Sequence, residues 1–481
     1  MRVLSQLEPK KVFEYFEDIS NIPRPSYKEE KISNYLVQFA KDHGLEYYQD
    51  ELFNVIMIKE ATPGYEDVEP IILQGHMDMV CEKKPDCHKN MEEEGLDLAI
   101  DGDYIYAKGT TLGGDDGIAV AYALAILDDD TLEHPRLEFV CTVSEEVGMD
   151  GAFALDVSML KGKKLLNLDS EEEGILLTSC AGGCSSKVTL PVARENASGV
   201  KISISVAKLT GGHSGAEIDK WRANANTLMA GLLAEMDLRA GVQLISMEGG
   251  KKDNAIPRDC EATVLVDADK AEAAMEAANK FALGVNREYE VSDPEMEIII
   301  ANEGETEASA VSCADTSKVI SLIQSLPNGI QRMSRDIEGL VETSLNLGIL
   351  VLEENELILR YALRSSVGSA KEALMSKVEN IAKASGATTE HNGQYPAWEF
   401  KKDSVLREDM IRIYEEMFGK KPVVEAIHAG LECGILAGKI PGLDAVSMGP
   451  EMHDIHTTEE RLGISSTERM YRYVVEILRC K

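Results

Sequence analysis

The chain has 481 residues, 44 % of them hydrophobic and 28 % charged, with a formal net charge of −35. So large an acidic excess argues strongly against a nucleic-acid partner, which demands clustered Lys and Arg, and against anionic membranes. No apolar run approaches the ~20 residues of a membrane span, and the length exceeds what one ordinary core fills, which implies two domains.

Nine cysteines are scattered along the chain, and the N-terminal stretch lacks the continuous apolar core of a secretion signal. Reduced thiols in a cytoplasm are therefore expected. Cys180 and Cys184, in CAGGC, have no second pair and no matching His. They are expected to be small buried residues rather than a structural zinc site.

In chain order, KKVFEYFEDIS puts Val12, Phe13, Tyr15, Phe16 and Ile19 on one side of an amphipathic helix. SYKEEKISNYLVQFAKDHG predicts a second helix, with a capping box from Ser26 to Glu29 and a stop at Gly44. PIILQGHMDMV reads as a buried strand. The turn TTLGGDD leads into the buried helix GIAVAYALAILDD, and the strands LEFVCTV and KLLNLD follow. This alternation implies an α/β sheet with helices on both faces.

Near Lys187 the pattern changes. KVTLPVA, VKISISVA, EATVLVDA and LILRYALRSS alternate with period two, and helices such as NANTLMAGLLAEM lie between them. Around Tyr395 the helix–loop–strand pattern of the first third returns with SVLREDMIRIYEEMFG and LDAVSMGP. The expectation is a discontinuous sheet domain over 1–186 and 395–481, with an inserted α+β lid domain over 187–394. The insertion is long enough for two similar halves.

Acidic and imidazole side chains fall at the ends of the predicted strands. GHMDM gives His76 and Asp78; GGDDG gives Asp115 and Asp116; SEEVG gives Glu145 and Glu146; LLNLDSEEEG gives Asp169; MHDIHTT gives His453 and His456. Ligands of open α/β sheets bind outside the carboxyl ends of the strands. Two divalent ions ~3.5–4 Å apart need a shared ligand and about two further ligands each. His76 and His456 can supply nitrogen, and Asp115, Glu146 and Asp169 can supply carboxylate oxygen. Asp78, on the same strand face as His76, can hold the far ring nitrogen. The adjacent glutamates repel unless positive charge lies near, so one is expected to bind metal while the other takes a proton from water. Asp116 reads equally well as a helix cap, His453 as structural, and Glu171 to Glu173 as a solvated acidic run.

QGHMDMV, GTTLGGDDGIA, TVSEEVGMDGA, LLNLDSEEEG and IHTTEERL together resemble the di-zinc peptidase clan of aminoacylases, glutamate carboxypeptidases and cytosolic dipeptidases, and within it the aminoacyl-histidine dipeptidase branch. The likeness implies that fold and hydrolysis of dipeptides, Xaa-His among them, by a cytoplasmic enzyme carrying two Zn, with Mn or Co as possible substitutes. Acyl-amino acids and tripeptides are the alternative substrates, and an inactive binding protein of the same fold is the non-enzymatic alternative. Asp115 then bridges the metals, with His76, Glu146, Asp169 and His456 as the other ligands. Glu145 matches the general base and Asp78 the group orienting His76. His213 in TGGHSGAEID matches a histidine that assists the carbonyl oxygen, typically in the other subunit of a homodimer. Asn254, Arg364 and Gly430 match substrate-contacting positions, Arg364 for the substrate carboxylate.

Overall fold

A computed structural model describes residues 2–481. The polypeptide separates into two compact units. Met1–Ser179, Phe400–Ala426 and Leu431–Lys481 make the first; Cys180–Glu399 and Ile427–Gly430 make the second. The second unit begins and ends outside the expected 187–394 because the strand Gly182–Pro191 pairs along its whole length with Glu356–Ser365 and also with Thr388–Tyr395. Ile427–Gly430 joins it because the Ala181 amide donates to the carbonyls of Ile427 and Ala429.

Among the described residues, the main sheet of the first unit has eight strands. Their order is Glu46–Gln49, Val55–Lys59, Leu137–Thr142, Ile71–His76, Lys164–Asn167, Asp444–Ser447, Ile175–Cys180 and Val423–Ile427. The strands from Leu137–Thr142 to Asp444–Ser447 are parallel. Both Ile71–His76 and Leu137–Thr142 are buried throughout, as parallel strands covered on both faces must be. Leu137, Phe139 and Cys141 share one face and pack in a core with Ile71, Leu73 and Leu166 and with the helices Lys10–Ser20 and Gly114–Asp128. Each such buried aliphatic or Phe side chain contributes ~1.5–3 kcal/mol. Gly114–Asp128 is apolar all round and buried from Gly117 through Leu127, so it reads as a core helix rather than an amphipathic one.

The predicted capping box does not form. The second helix spans Glu30–Asp42 and has no side-chain cap. Ser26 Oγ donates instead to Asp78 Oδ2 at 2.8 Å. Glu29 accepts from the Tyr27 amide and from both the amide and the hydroxyl of Ser144. The two residues that match a local motif have been taken by long-range partners.

A four-stranded sheet, in the order Met452–His453, Arg461–Gly463, Tyr104–Ala107 and Leu98–Asp101, completes the unit. The loop between its first two strands carries His456 and Glu460.

The second unit is built on an antiparallel nine-stranded sheet running from Glu297–Val311 at one edge to Thr388–Tyr395 at the other. The strands Gln243–Gly249 and Val341–Leu352 join within this one sheet through Glu248↔Val351 and Gly249↔Leu350. Ala225–Ala240 starts at Asn224, whose side chain accepts from the amides of Asn226 and Thr227. Its buried Leu228, Met229, Leu232 and Leu233 pack in the core with Ile202, Ile204 and Leu347.

Candidate metal centre

His76 is the last residue of Ile71–His76, and Asp169 follows Lys164–Asn167 by two residues. Glu145 and Glu146 follow Leu137–Thr142. Register pairs His76 with Thr142 and Gln74 with Asn167, so these side chains emerge at the carboxyl ends of adjacent parallel strands. Asp115 lies in the first turn of Gly114–Asp128, at non-helical φ/ψ. His456 sits at φ 60° in its hairpin loop.

His76 Nε2 lies 3.1 Å from Asp115 Oδ1 and 3.5 Å from Asp169 Oδ1. His456 Nε2 lies 3.0 Å from Asp115 Oδ2 and 3.0 Å from Glu146 Oε2. Each oxygen of Asp115 therefore faces one imidazole, and each imidazole Nε2 has one further carboxylate beside it. Donor atoms of His76, Asp115 and Glu146 all lie within 4.8 Å of one another, as do those of His76, Asp116 and Asp169.

Asp116 has another employment. Its Oδ2 accepts the His76 amide at 3.1 Å, and a Cβ on Gly75 would come within 2.4 Å of it. It braces the strand end and does not cap the helix.

Asp78 supports the centre at several points. Its Oδ1 is 3.3 Å from His76 Nδ1 and accepts the Glu145 amide at 3.1 Å, while Oδ2 accepts the Glu146 amide at 3.3 Å. Glu145 is partly exposed, and among the described residues its carboxylate has no hydrogen-bond partner.

The electrostatics of the cluster suit cations. Burial, with neighbouring carboxylates, pushes Asp169 up to about 6 and Glu145 well above the usual range. Burial also raises Asp115, but hydrogen bonds from His456 and His76 outweigh it and hold that carboxyl far below the usual range. Bonds to Asp115 and Glu146 lift His456 to about 10. Glu146 Oε1 is buried with no partner. This much buried negative charge, beside two imidazoles that it holds protonated, suits divalent ions whose binding releases those protons.

Beneath the centre, Glu432 Oε2 accepts from Gln74 Nε2 at 2.5 Å and from Thr142 Oγ1 at 2.6 Å, and Asn167 Nδ2 donates to Gln74 Oε1 at 2.6 Å. Burial pushes the Glu432 carboxyl up to about 8. No motif in the sequence singles out Glu432; its only signal is its place in HAGLECG. The acidic run is not uniformly solvated: Glu173 is held bidentately by Arg469, at 2.7 and 2.6 Å. Glu171, exposed by area, is pushed up to about 7 by partial desolvation and by Asp115 and Asp169. His453 contacts Glu451 and the Tyr104 hydroxyl, away from the ligand set.

The other predicted residues lie in the second unit. Arg364 is buried, at 8 % exposure, and among the described residues it has no acidic partner. Its Nη1 donates to the Tyr395 hydroxyl at 3.0 Å, and its Nε is unpartnered. His213 Nδ1 accepts the Ala216 amide at 3.0 Å, which leaves the proton of the neutral ring on Nε2. That Nε2 stands 3.4 Å from Arg364 Nη2, so two donors face each other with no acceptor between them. Burial, then Arg364, lowers His213. His428 Nε2 contacts Ser344 Oγ at 2.7 Å, and burial together with Arg364 and His213 pushes it down to about 3. Gly430 belongs to the same segment as His428. Asn254 is exposed, and its carbonyl accepts the Ser214 amide at 2.9 Å. Tyr395 and Ser344 carry no recognisable signal in the sequence.

Residues 72–479 match Peptidase family M20/M25/M40. The chain is 36 % identical to the cytosol non-specific dipeptidase of Escherichia coli (strain K12), covering 100 % of this chain and 99 % of that protein. The crystal structure of the aminoacylhistidine dipeptidase from Vibrio alginolyticus superposes with a TM-score of 0.92 at 35 % identity, over 99 % of this chain and 97 % of that one. Aminopeptidase PepT from Bacillus cereus shares the fold, with a TM-score of 0.56 at 19 % identity and 98 % coverage of both chains.

Proposed function

The chain belongs to the M20/M25/M40 peptidase family, and we propose that it is a metallo-dipeptidase that cleaves dipeptides, including Xaa-His, at a centre holding two divalent ions. The observation that carries this reading is Asp115 shared between His76 and His456, with Asp169 and Glu146 completing the two sets and the free carboxylate of Glu145 beside them. The donor set of imidazole and carboxylate suits Zn²⁺ and also admits Mn²⁺ or Co²⁺. Bound there, such ions would polarise the scissile carbonyl and bring the pKa of a water toward ~7.

The remaining steps belong to the protein. A Glu145 oxygen takes the proton from water and returns it to the leaving nitrogen. Asp78 holds the His76 ring by its Nδ1 side, which keeps Nε2 directed at Asp115 and Asp169. Arg364 binds the C-terminal carboxylate of the dipeptide as a planar fork, and the Nε2–H of His213 donates to a substrate oxygen. Asn254 and Gly430 complete the substrate contacts. The converging side-chain donors of His213 and Arg364, neither bonded to a carboxylate among the described residues, support an anionic ligand there. A homodimer is part of the same proposal, as is a cytoplasmic location, in keeping with the cytosol dipeptidase of Escherichia coli.

The test is hydrolysis of β-alanyl-histidine, a neutral dipeptide, a tripeptide and an N-acetyl amino acid by the metal-loaded protein and by Glu145→Gln. The dipeptides should be cleaved by the wild type. The variant should lose ~10²–10⁴-fold in rate while keeping its metal content. Wild-type rates in the variant would remove Glu145 as the base; cleavage of the N-acetyl amino acid alone would make the enzyme an aminoacylase.

A further inference from the structure

Arg24 and Glu460 are charged side chains with 1 % and 3 % exposure. Arg24 lies in NIPRPS and Glu460 in HTTEERL, four residues past His456, and the proposed chemistry gives neither side chain a role. Burying a charge costs several kcal/mol unless it is compensated. Neither makes an ion pair within 4.0 Å among the described residues; the side-chain hydrogen bonds of each go to backbone.

The identity of that backbone is informative. Arg24 Nη1 donates to the carbonyls of Met77 and Asp78, both at 3.0 Å, and Nη2 donates to the carbonyl of Gly113 at 2.5 Å. Glu460 Oε2 accepts the amides of Leu112 and Gly113 at 2.7 and 3.0 Å, and Oε1 accepts that of Gly114 at 2.8 Å. Gly113 is thus held from both sides, its carbonyl by the cation and its amide by the anion. Met77 follows His76, Gly114 precedes Asp115, and Glu460 lies four residues after His456. Two buried charges tie together the three segments that carry both imidazoles and the shared carboxylate.

Gly113 and Gly117 of TTLGGDDG follow from the same contacts. A Cβ on Gly113 or on Gly117 would stand 2.6 Å from Arg24 Nη2, and Gly113 is also at φ +64°. Two of the three glycines are thus set by the guanidinium, and a Cβ on the third, Gly114, would meet Met452 Sδ at 3.2 Å and Glu460 Oε1 at 3.4 Å.

We propose that Arg24 and Glu460 are positioning residues that set the spacing of His76, Asp115 and His456, and through it the affinity of the centre for metal. The proposal rests on the metal-centre reading but not on the reaction catalysed there. In Glu460→Gln an amide NH₂ must replace an oxygen that accepts backbone N–H, and in Arg24→Lys one compact ammonium must replace a fork that reaches three carbonyls.

The test is titration of the metal-free full-length protein with Co²⁺, read by visible absorption, for the wild type and both variants, with far-UV circular dichroism as the check of folding. Expected is a cobalt dissociation constant raised about 10–100-fold in each folded variant, with a changed ligand-field spectrum; loaded with metal, the variants should lose kcat with little change in KM. A dissociation constant within about twofold of wild type and an unchanged spectrum would overturn the proposal, even if thermal stability fell. Failure of both variants to fold as metal-free protein would overturn it too, since the pair would then be a folding element. A wild type that takes up no cobalt would instead remove the metal-centre reading beneath it.

Discussion

Asp78 Oδ1 accepts the backbone amide of Glu145 at 3.1 Å and is the same oxygen that lies 3.3 Å from His76 Nδ1. One carboxylate atom thus orients a candidate ligand and fixes the strand end that presents the candidate base. Its partner oxygen accepts Glu146 and Ser26.

Asp78→Asn should therefore disturb metal binding and proton transfer together. A neutral amide no longer favours the tautomer with the proton on Nδ1, and its NH₂ faces backbone donors. Metal affinity should fall about 10–100-fold. Equilibrium dialysis with metal analysis measures it, and an unchanged affinity would show that His76 needs no such support.

Arg364→Lys should raise KM for dipeptides about 10–100-fold while kcat changes little. A lost charge-assisted hydrogen-bond pair is worth ~1.5–3 kcal/mol, and binding lost equally from ground and transition states appears in KM. Dipeptide amides, which lack the carboxylate, should be poor substrates of the wild type and nearly as poor for the variant. Equal loss on acids and amides would place Arg364 outside carboxylate recognition.

Removing metal should lower thermal stability. The centre holds mutually repelling buried carboxylates, with Asp169 raised to about 6 in their company. Binding to the folded state alone contributes ~2.7 kcal/mol at a free metal concentration of 100 times Kd. Chelation should cost about 5–10 °C in Tm, restored by Zn²⁺, Mn²⁺ or Co²⁺. A Tm indifferent to chelator would contradict the ligand set.

His428 should make stability fall with acid. Its folded pKa is about 3 because burial, Arg364 and His213 disfavour the charged ring, whereas the unfolded ring titrates near ~6.5. Between those values the unfolded state binds the extra proton, so this group costs ~1.4 kcal/mol of stability per pH unit as pH falls, and nothing above ~6.5. His428→Asn, less stable than wild type at pH ~7, should close that gap by about 2 kcal/mol at pH ~5. Urea midpoints at the two pH values measure this, and a gap independent of pH would mean that the ring is protonated in the fold.

Much of the architecture is written in local order. LEFVCTV and PIILQGH read as strands because they are short and mostly apolar, as strands buried on both faces are, and strands so connected lie parallel with their carboxyl ends together. That is why His76, Asp115, Glu145, Glu146, Asp169 and His456 could be grouped together from their places along the chain. Which partner each polar group takes is not written there. Ser26 and Glu29 satisfy a capping pattern, yet Asp78 and Ser144 hold them; Asp116 sits where a cap would sit, yet serves the His76 amide. Only the folded chain decided that Asp115 divides its oxygens between two imidazoles, that Glu432 lies under the strand ends, and that Arg364 has no counter-ion among the described residues. Covalent spacing and hydrophobic period act along the chain and can be read in one dimension. A buried donor or acceptor must be satisfied by whichever group burial brings within ~3 Å, and that competition is settled only when distant segments pack.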